Sequence, residues 1–404
     1  MNITLLGNGF DLYYKLPTKY INFLNTVWYL STTDLVGDQT LGSIFGAEKL
    51  QKADSWILKS YQEYQECYDA VPISYEEIDR LTGIKGNRWY RYFWTSFNKD
   101  TGWIDFEKEI ALVIQCLQER FELRKATRTY GDALSEEAEY IIEKFGFFVE
   151  GETLATATLE KSKKEYCTEY PVGSGNIILD REKIVDELAN DLKTFTDVLK
   201  YYLHSFVEKL LPELIARQKI KTCDAIQYSD YVVTFNYSST YEKFKLSDQV
   251  FHVHGVIEKD IILGTNPAQE DAVGHVDTTF IQFKKYYQRT MMETDRSYIR
   301  WVVDARDTRE DVHLVVMGHS LDISDKDIIS ELFRISDEIV VLYHDQKAKS
   351  DYVSNLVKIF GSEEFSKLKY DRKLKFLDLN SDLSSLIKRR METRSAEQSR
   401  MWLL

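Results

Sequence analysis

The sequence predicts an α/β fold: a parallel sheet covered by helices, with a large helical insertion after the first strand–helix unit. Three observations predict it. Beyond about residue 228, short and fully apolar runs alternate with stretches of helical spacing, the pattern of a parallel sheet buried on both faces. Met1-Asn2-Ile3-Thr4-Leu5-Leu6 is a further apolar run, and it breaks on Gly7-Asn8-Gly9-Phe10-Asp11. Between these regions, residues 45–222 carry hardly any strand signal and long stretches of helical periodicity. The predicted division is a nucleotide-binding sheet domain from residues 1–35 and 225–404, and a mainly helical insertion over 36–224.

The elements follow in order. The first strand runs into the glycine turn, and Leu16-Pro17-Thr18 precedes a helix through Tyr20, Phe23 and Leu24. A strand, a tight glycine turn and a helix start can present backbone N–H groups to a phosphate. In the middle region, Ile110, Ala111, Val113, Ile114 and Leu117 fit one amphipathic helix; Ile184, Leu188, Leu192, Phe195 and Leu199 fit another. Glu150 to Gly175 is polar and reads as a long loop or hairpin. Strands are expected at Tyr231–Thr234, Val250–His254, Ile261–Leu263, His313–Met317 and Glu338–Tyr343. Helices are expected at Asp325–Ile335 and Asp351–Phe360, with a charged helical tail from Ser381.

Composition narrows the function classes. The 404 residues are 44% hydrophobic and 29% charged, those of a soluble globular chain. A net charge of −13 argues against a nonspecific nucleic-acid binder. Lys161-Ser162-Lys163-Lys164 and Lys388-Arg389-Arg390 are the only pieces of a basic groove in sight. Cys67, Cys116, Cys167 and Cys223 lie far apart with no C-x-x-C pair, which predicts reduced thiols and a cytoplasmic protein. No apolar run is long enough for a membrane span. With the first strand expected to begin at the initiator, a signal peptide is not expected.

Three downstream motifs carry chemistry. Asn236 ends the run Thr234-Phe235-Asn236-Tyr237, directly after a strand. In an open parallel sheet that is where ligands bind, so the amide can hold a ribose hydroxyl or a water, or else cap the next helix. His252-Val253-His254-Gly255 places two histidines two residues apart. His254, beside the terminating glycine, is the candidate general base, and His252 reads as structural. A metal site would need His275 or another ligand, and none is predicted. Gly318-His319-Ser320 follows a strand and runs on to Asp322, Ser324 and Asp325. It fails the G-x-S-x-G elbow, because Asp322 stands at the second glycine. Ser324 or Asp325 can cap the next helix.

These motifs carry a resemblance. GNGFDLYYKLPTKYINF, WIDFE at Trp103–Glu107, TFNYSSTYE at Thr234–Glu242, HVHG, and GHSLDISDKDI at Gly318–Ile328 resemble the pattern of the AbiH family, the bacterial abortive-infection proteins that act against bacteriophage. The motif order is also similar to that of sirtuin-like NAD-binding proteins, which implies a Rossmann-like fold. The resemblance implies that Gly7, Asn8 and Gly9 contact a diphosphate, and that Asn236 and His254 flank the nicotinamide ribose. It also implies that Gly318 and Ser320 meet the adenosine half. Phe10, Asp11, Pro17, Thr234, Gly255 and Asp325 complete the implied cofactor-binding set. The departures are a missing four-cysteine zinc module, Tyr237-Ser238 in place of an aspartate after the asparagine, and Lys15 where glycine is usual.

Protein deacylation is therefore not expected. The expected activity is infection-gated NAD hydrolysis, releasing nicotinamide and an ADP-ribose product, with His254 as base and Asn236 orienting water or ribose hydroxyls. Asp11 is expected on the nicotinamide or ribose side. The insertion is expected to act as a lid, to carry homo-oligomer contacts, or to meet a phage-derived trigger or accessory defence protein. Two alternatives differ in class: a noncatalytic NAD or nucleotide sensor, and a nucleic-acid-targeting toxin.

Overall fold

The computed structural model describes residues 1–97, 104–122, 140–141, 143–146, 180–244, 249–265, 278–292 and 311–401. Eight strands fall among them. β1 is Asn2–Leu6, β2 Gln39–Thr40, β3 Pro72–Ile73, β4 Tyr231–Thr234, β5 Val250–His252, β6 His313–Met317, β7 Glu338–Tyr343 and β8 Leu374–Asp378. Six of them form one sheet in the order β5-β4-β1-β6-β7-β8, and every pair in it is parallel. Counted along the chain, these six strands lie in the order third, second, first, fourth, fifth, sixth. That is a Rossmann-like doubly wound sheet, whose switch point lies between β1 and β6.

Burial explains which strands are legible. All of β1 and nearly all of β6 and β7 are buried, so they read as continuous apolar runs. One sheet face, with Ile3, Leu5, Val233, Val316 and Val341, packs on the helices Lys326–Ile335 and Gln346–Tyr370. The other, with Leu6, Val232, Val315, Met317 and Leu342, shares its core with the helices between β1 and β4. Among these are Phe106–Glu122 and Arg181–Leu203, which bury Ile110, Val113, Ile114 and Leu117, and Ile184, Leu188, Leu192, Phe195 and Leu199. The antiparallel pair β2–β3 lies in this segment too.

The structure departs from the sequence expectations at several elements. β8 was not among the expected strands: it is an edge strand, mostly half-buried, and Lys375 and Asp378 interrupt its apolar run. Ile261–Leu263 forms no strand. Ile261 makes a single antiparallel bridge to Gly255, and the Ile262 amide donates to the His254 carbonyl. β5 stops at His252, and the chain turns ahead of Gly255, whose φ of +80° is open to glycine. The helix expected at 351–360 runs from Gln346 to Tyr370 across a break at Gly361. The expected loop at 150–175, with Cys167 and Lys161–Lys164, lies outside the described residues.

Candidate functional site at the sheet switch point

Register brings the glycine motifs together. Leu6 pairs with Thr234 on one side and with Met317 on the other, so three strands end level. The loops that leave them touch main chain to main chain. The Gly7 amide donates to the Met317 carbonyl at 3.2 Å, and the Gly9 amide to the Gly318 carbonyl at 2.8 Å. A Cβ on Gly7 would lie 2.5 Å from the His319 Cα, and one on Gly9 2.6 Å from the Gly318 Cα. Gly318 itself has φ +72°. These glycines permit two loops to meet, and the Gly7 and Gly9 amides are used in doing so.

Beside this junction stand two buried oxygens without partners. Asn236 is 6% exposed, its amide nitrogen donates to Thr234 Oγ1, and its carbonyl accepts from His252 Nδ1 at 2.9 Å. Its Oδ1 has no hydrogen-bond partner among the described residues. The helix Thr240–Lys243 is capped by Ser239 without a side-chain bond, so Asn236 is not a helix cap. Asp11, 2% exposed, accepts from Ser238 Oγ at 2.6 Å through Oδ2, while Oδ1 is unpartnered. Burial pushes its carboxyl up to about 6, against the pull of the Ser238 hydrogen bond. A buried acceptor left unmatched costs about 1–3 kcal/mol, which a ligand donor would recover.

His252 lies between the Asn236 carbonyl and the Glu242 carboxylate. Burial opposes its charge, but the Glu242 carboxylate at 2.5 Å from Nε2 outweighs this and raises its pKa. Its Nδ1 donates to the Asn236 carbonyl.

His254 sits in a different environment. Its Nε2 is 3.3 Å from Asp325 Oδ1 and 3.2 Å from Arg289 Nη2. Burial, then Lys285, pushes its pKa down to about 3, so the imidazole is neutral near neutral pH. Lys285, 2% exposed at its side chain, bridges Asp325 Oδ1 at 3.0 Å and Glu107 Oε2 at 2.8 Å. Burial disfavours the Asp325 carboxylate, yet Lys285 and His254 hold it well below the usual range. Burial instead pushes Glu107 up to about 7, against the pull of Lys285. His319 accepts the Leu321 amide at Nδ1, which places its proton on Nε2, 3.6 Å from Asp325 Oδ2. Asp325 stands at the N-cap of the helix Lys326–Ile335 without a side-chain capping bond, its carboxylate being engaged with Lys285 and the two histidines. The 3₁₀ turn is capped by Asp322, which accepts the Ser324 amide. Phe235 packs edge-on against His254 and lies 4.2 Å from the His319 ring.

One cavity of about 930 Å³ joins these groups. Gly7, Asn8, Gly9, Asp11, Asn236, His254, Gly318, Ser320 and Asp325 all line it. The remaining expected residues do not. Phe10 is core beside Tyr14 and Tyr241, and the Pro17 carbonyl is taken by the Tyr202 hydroxyl. Thr234 Oγ1 holds the Asn236 amide, and Gly255 closes a turn against the Asp260 carbonyl. Sequence reasoning missed Glu107, Lys285, Arg289 and His319 as site residues. For Glu107 the WIDFE motif was the available signal; Lys285 and Arg289, four apart on the helix Lys285–Met291, gave only an i, i+4 pair of cations.

Other expectations land elsewhere. Among the described residues no group of three or more His, Cys, Asp or Glu is arranged for a metal ion, and His275 lies outside them. Cys67, Cys116 and Cys223 are all buried. No helix among the described residues is long and apolar enough to cross a membrane. Arg390 is 1% exposed, donating to Thr4 and Ser229 under β1, while Arg389 pairs with Glu338 and Lys388 with Glu392.

No curated protein and no solved structure matches the chain. Residues 3–343 match the family described as bacteriophage abortive infection AbiH, a span that includes every loop of the cavity named above. The chain therefore belongs to the AbiH family, and its role lies in abortive infection against bacteriophage.

Proposed function

We propose that this protein is an abortive-infection effector that hydrolyses NAD at the nicotinamide–ribose bond, under the control of infection. The observation that carries the reading is the convergence of Gly7–Gly9, Asn236, His254 and Gly318–Ser320 on one cavity, where Asp11 Oδ1 and Asn236 Oδ1 are among the unmatched buried oxygens. Its volume is at the upper end of the ~300–1,000 Å³ of small-molecule sites, which suits a dinucleotide. A ribose hydroxyl and the attacking water are the donors that Asn236 Oδ1 and Asp11 Oδ1 lack. The ribosyl cation that develops as nicotinamide leaves is favoured by the carboxylates of Asp11 and Asp325 on the cavity wall.

In this reading Asn236 and His254 flank the scissile bond, and Gly318 and Ser320 meet the adenosine half. His254, held neutral, acts by hydrogen bonding. With the Gly7 and Gly9 amides engaged, the diphosphate contact of that turn falls to Asn8. The helices Phe106–Glu122 and Arg181–Leu203 contribute Glu107, Lys108, Leu199, Tyr202 and Leu203 to the wall, which supports a gating role for the insertion. The low basicity of His254 favours one rival, a sensor that binds NAD without cleaving it.

Incubating the purified protein with NAD and quantifying nicotinamide and ADP-ribose by chromatography separates the two. Hydrolysis predicts stoichiometric release of both, reduced about 100-fold or more in Asn236→Ala. Thermal stabilisation by NAD with no nicotinamide released would instead establish the sensor.

A further inference from the structure

Resting on the NAD-hydrolysis reading, we infer that Asp11, and not His254, is the group that takes the proton from the attacking water. The two candidates differ in what already surrounds them. His254 Nε2 faces Arg289 and Asp325 at hydrogen-bond range. Asp11 has one oxygen held and the other buried without a partner. Thr240 Oγ1 lies 3.0 Å from Ser238 Oγ, and Ser238 Oγ donates to Asp11 Oδ2 at 2.6 Å. This short relay fixes the plane of the carboxyl and leaves Oδ1 unpartnered in a residue that lines the cavity. Asn236, on the loop from the neighbouring strand, brings the second unpartnered oxygen. A general base must be oriented, within reach of the reacting proton, and free to accept it. Asp11 meets the first and last requirements, and its place on the cavity wall meets the second.

The step balances. The water oxygen forms a bond to C1′ of the ribose as its proton passes to Asp11 Oδ1. The C1′–N bond breaks, and its electron pair goes to the pyridinium nitrogen, which leaves as neutral nicotinamide. The proton on Asp11 is then lost to solvent, so NAD and water give nicotinamide, ADP-ribose and one proton. The charged surroundings of Asp11 suit a base that works near neutrality. Burial raises its pKa to about 6 against the Ser238 and Thr240 hydroxyls, which lower it; Glu208, on the π-helical turn His204–Glu208, and Glu242, on the helix Thr240–Lys243, add to the rise. Lys243 is committed to Glu208 at 3.8 Å, and on Asp11's own side the Asp11 charge acts on Tyr14.

The test is the pH profile of nicotinamide release by wild type, Asp11→Asn and Ser238→Ala, with the thermal shift produced by ADP-ribose as a check on folding and binding. Asp11→Asn keeps a partner for Ser238; it is expected to lose activity about 100-fold or more while retaining the ADP-ribose shift. The Ser238 hydrogen bond lowers the Asp11 pKa, so Ser238→Ala is expected to move the acid limb of kcat/KM to higher pH. Wild-type turnover in Asp11→Asn, or an acid limb unmoved in Ser238→Ala, overturns the assignment and leaves NAD hydrolysis standing. A wild type that releases no nicotinamide overturns NAD hydrolysis and this assignment together.

Discussion

Gly9 donates its amide to the carbonyl of Gly318 at 2.8 Å, which locks the turn after β1 onto the turn after β6. A Cβ on Gly318 would lie 2.2 Å from the Phe10 nitrogen, at a φ of +72°. Neither neighbour is a flexible side chain, so the backbone itself would have to move. Gly318→Ala is expected to destabilise the protein by about 1–3 kcal/mol or more, read from urea unfolding. Gly361→Ala makes the comparison. It shares the positive φ but has open space around it, so it is expected to cost less.

Lys285 joins Glu107, on the insertion side of the cavity, to Asp325, on the sheet side. Removing the cation strands buried carboxylates, so Lys285→Met is expected to cost about 3–5 kcal/mol. Glu107→Gln leaves Lys285 paired with Asp325, and its cost is expected to be smaller. Equilibrium unfolding of the two variants distinguishes them; equal losses would contradict the bridge as described.

Lys15 has a φ of +57°, the left-handed conformation that costs an L residue roughly 1–2 kcal/mol. Its side chain pairs with Glu63 at the surface, a contact worth about 0–1 kcal/mol. Lys15→Gly is therefore expected to equal or exceed wild-type stability, whereas Lys15→Val, β-branched and less tolerated at positive φ than lysine, is expected to lose stability. Thermal denaturation of both variants provides the check.

Stability should carry the mark of His254. Its folded pKa is pushed down to about 3 from 6.5 by burial and then by Lys285. The unfolded chain takes the proton first as pH falls, so this contribution is full above pH 6.5 and is lost toward pH 3. The stability of wild type relative to His254→Gln is expected to fall across that window, by up to ~1.4 kcal/mol per pH unit. Asp11 and Glu107, raised to about 6 and about 7 by burial, act in the opposite sense. Their contributions are greatest at low pH and are lost as pH rises through those values. Comparing wild type with the single His254 variant isolates one sign from the other.

The legible parts of the site were those carried by strand ends. β1, β4 and β6 are buried and apolar, so the sequence marks where each stops, and Gly7, Asn236 and Gly318 follow directly. That these loops converge is a consequence of parallel pairing alone. The electrostatic half was not legible, because Glu107, Lys285 and Asp325 are far apart in the chain and their pairing depends on how the helices pack. Likewise β8 is hard to read because a half-buried edge strand need not be continuously apolar. The histidines were separable only in part. His254 was singled out by its glycine, but the arginine and lysine that suppress its basicity lie on a helix with no marking pattern.

The central claim is that defence proceeds through NAD, and the direct measurement is the NAD content of bacteria expressing the protein during phage infection. The account predicts that NAD falls and nicotinamide and ADP-ribose rise in infected cells with wild type, and that Asn236→Ala abolishes both the change and the protection. Full protection with NAD held at the level of infected control cells would contradict it.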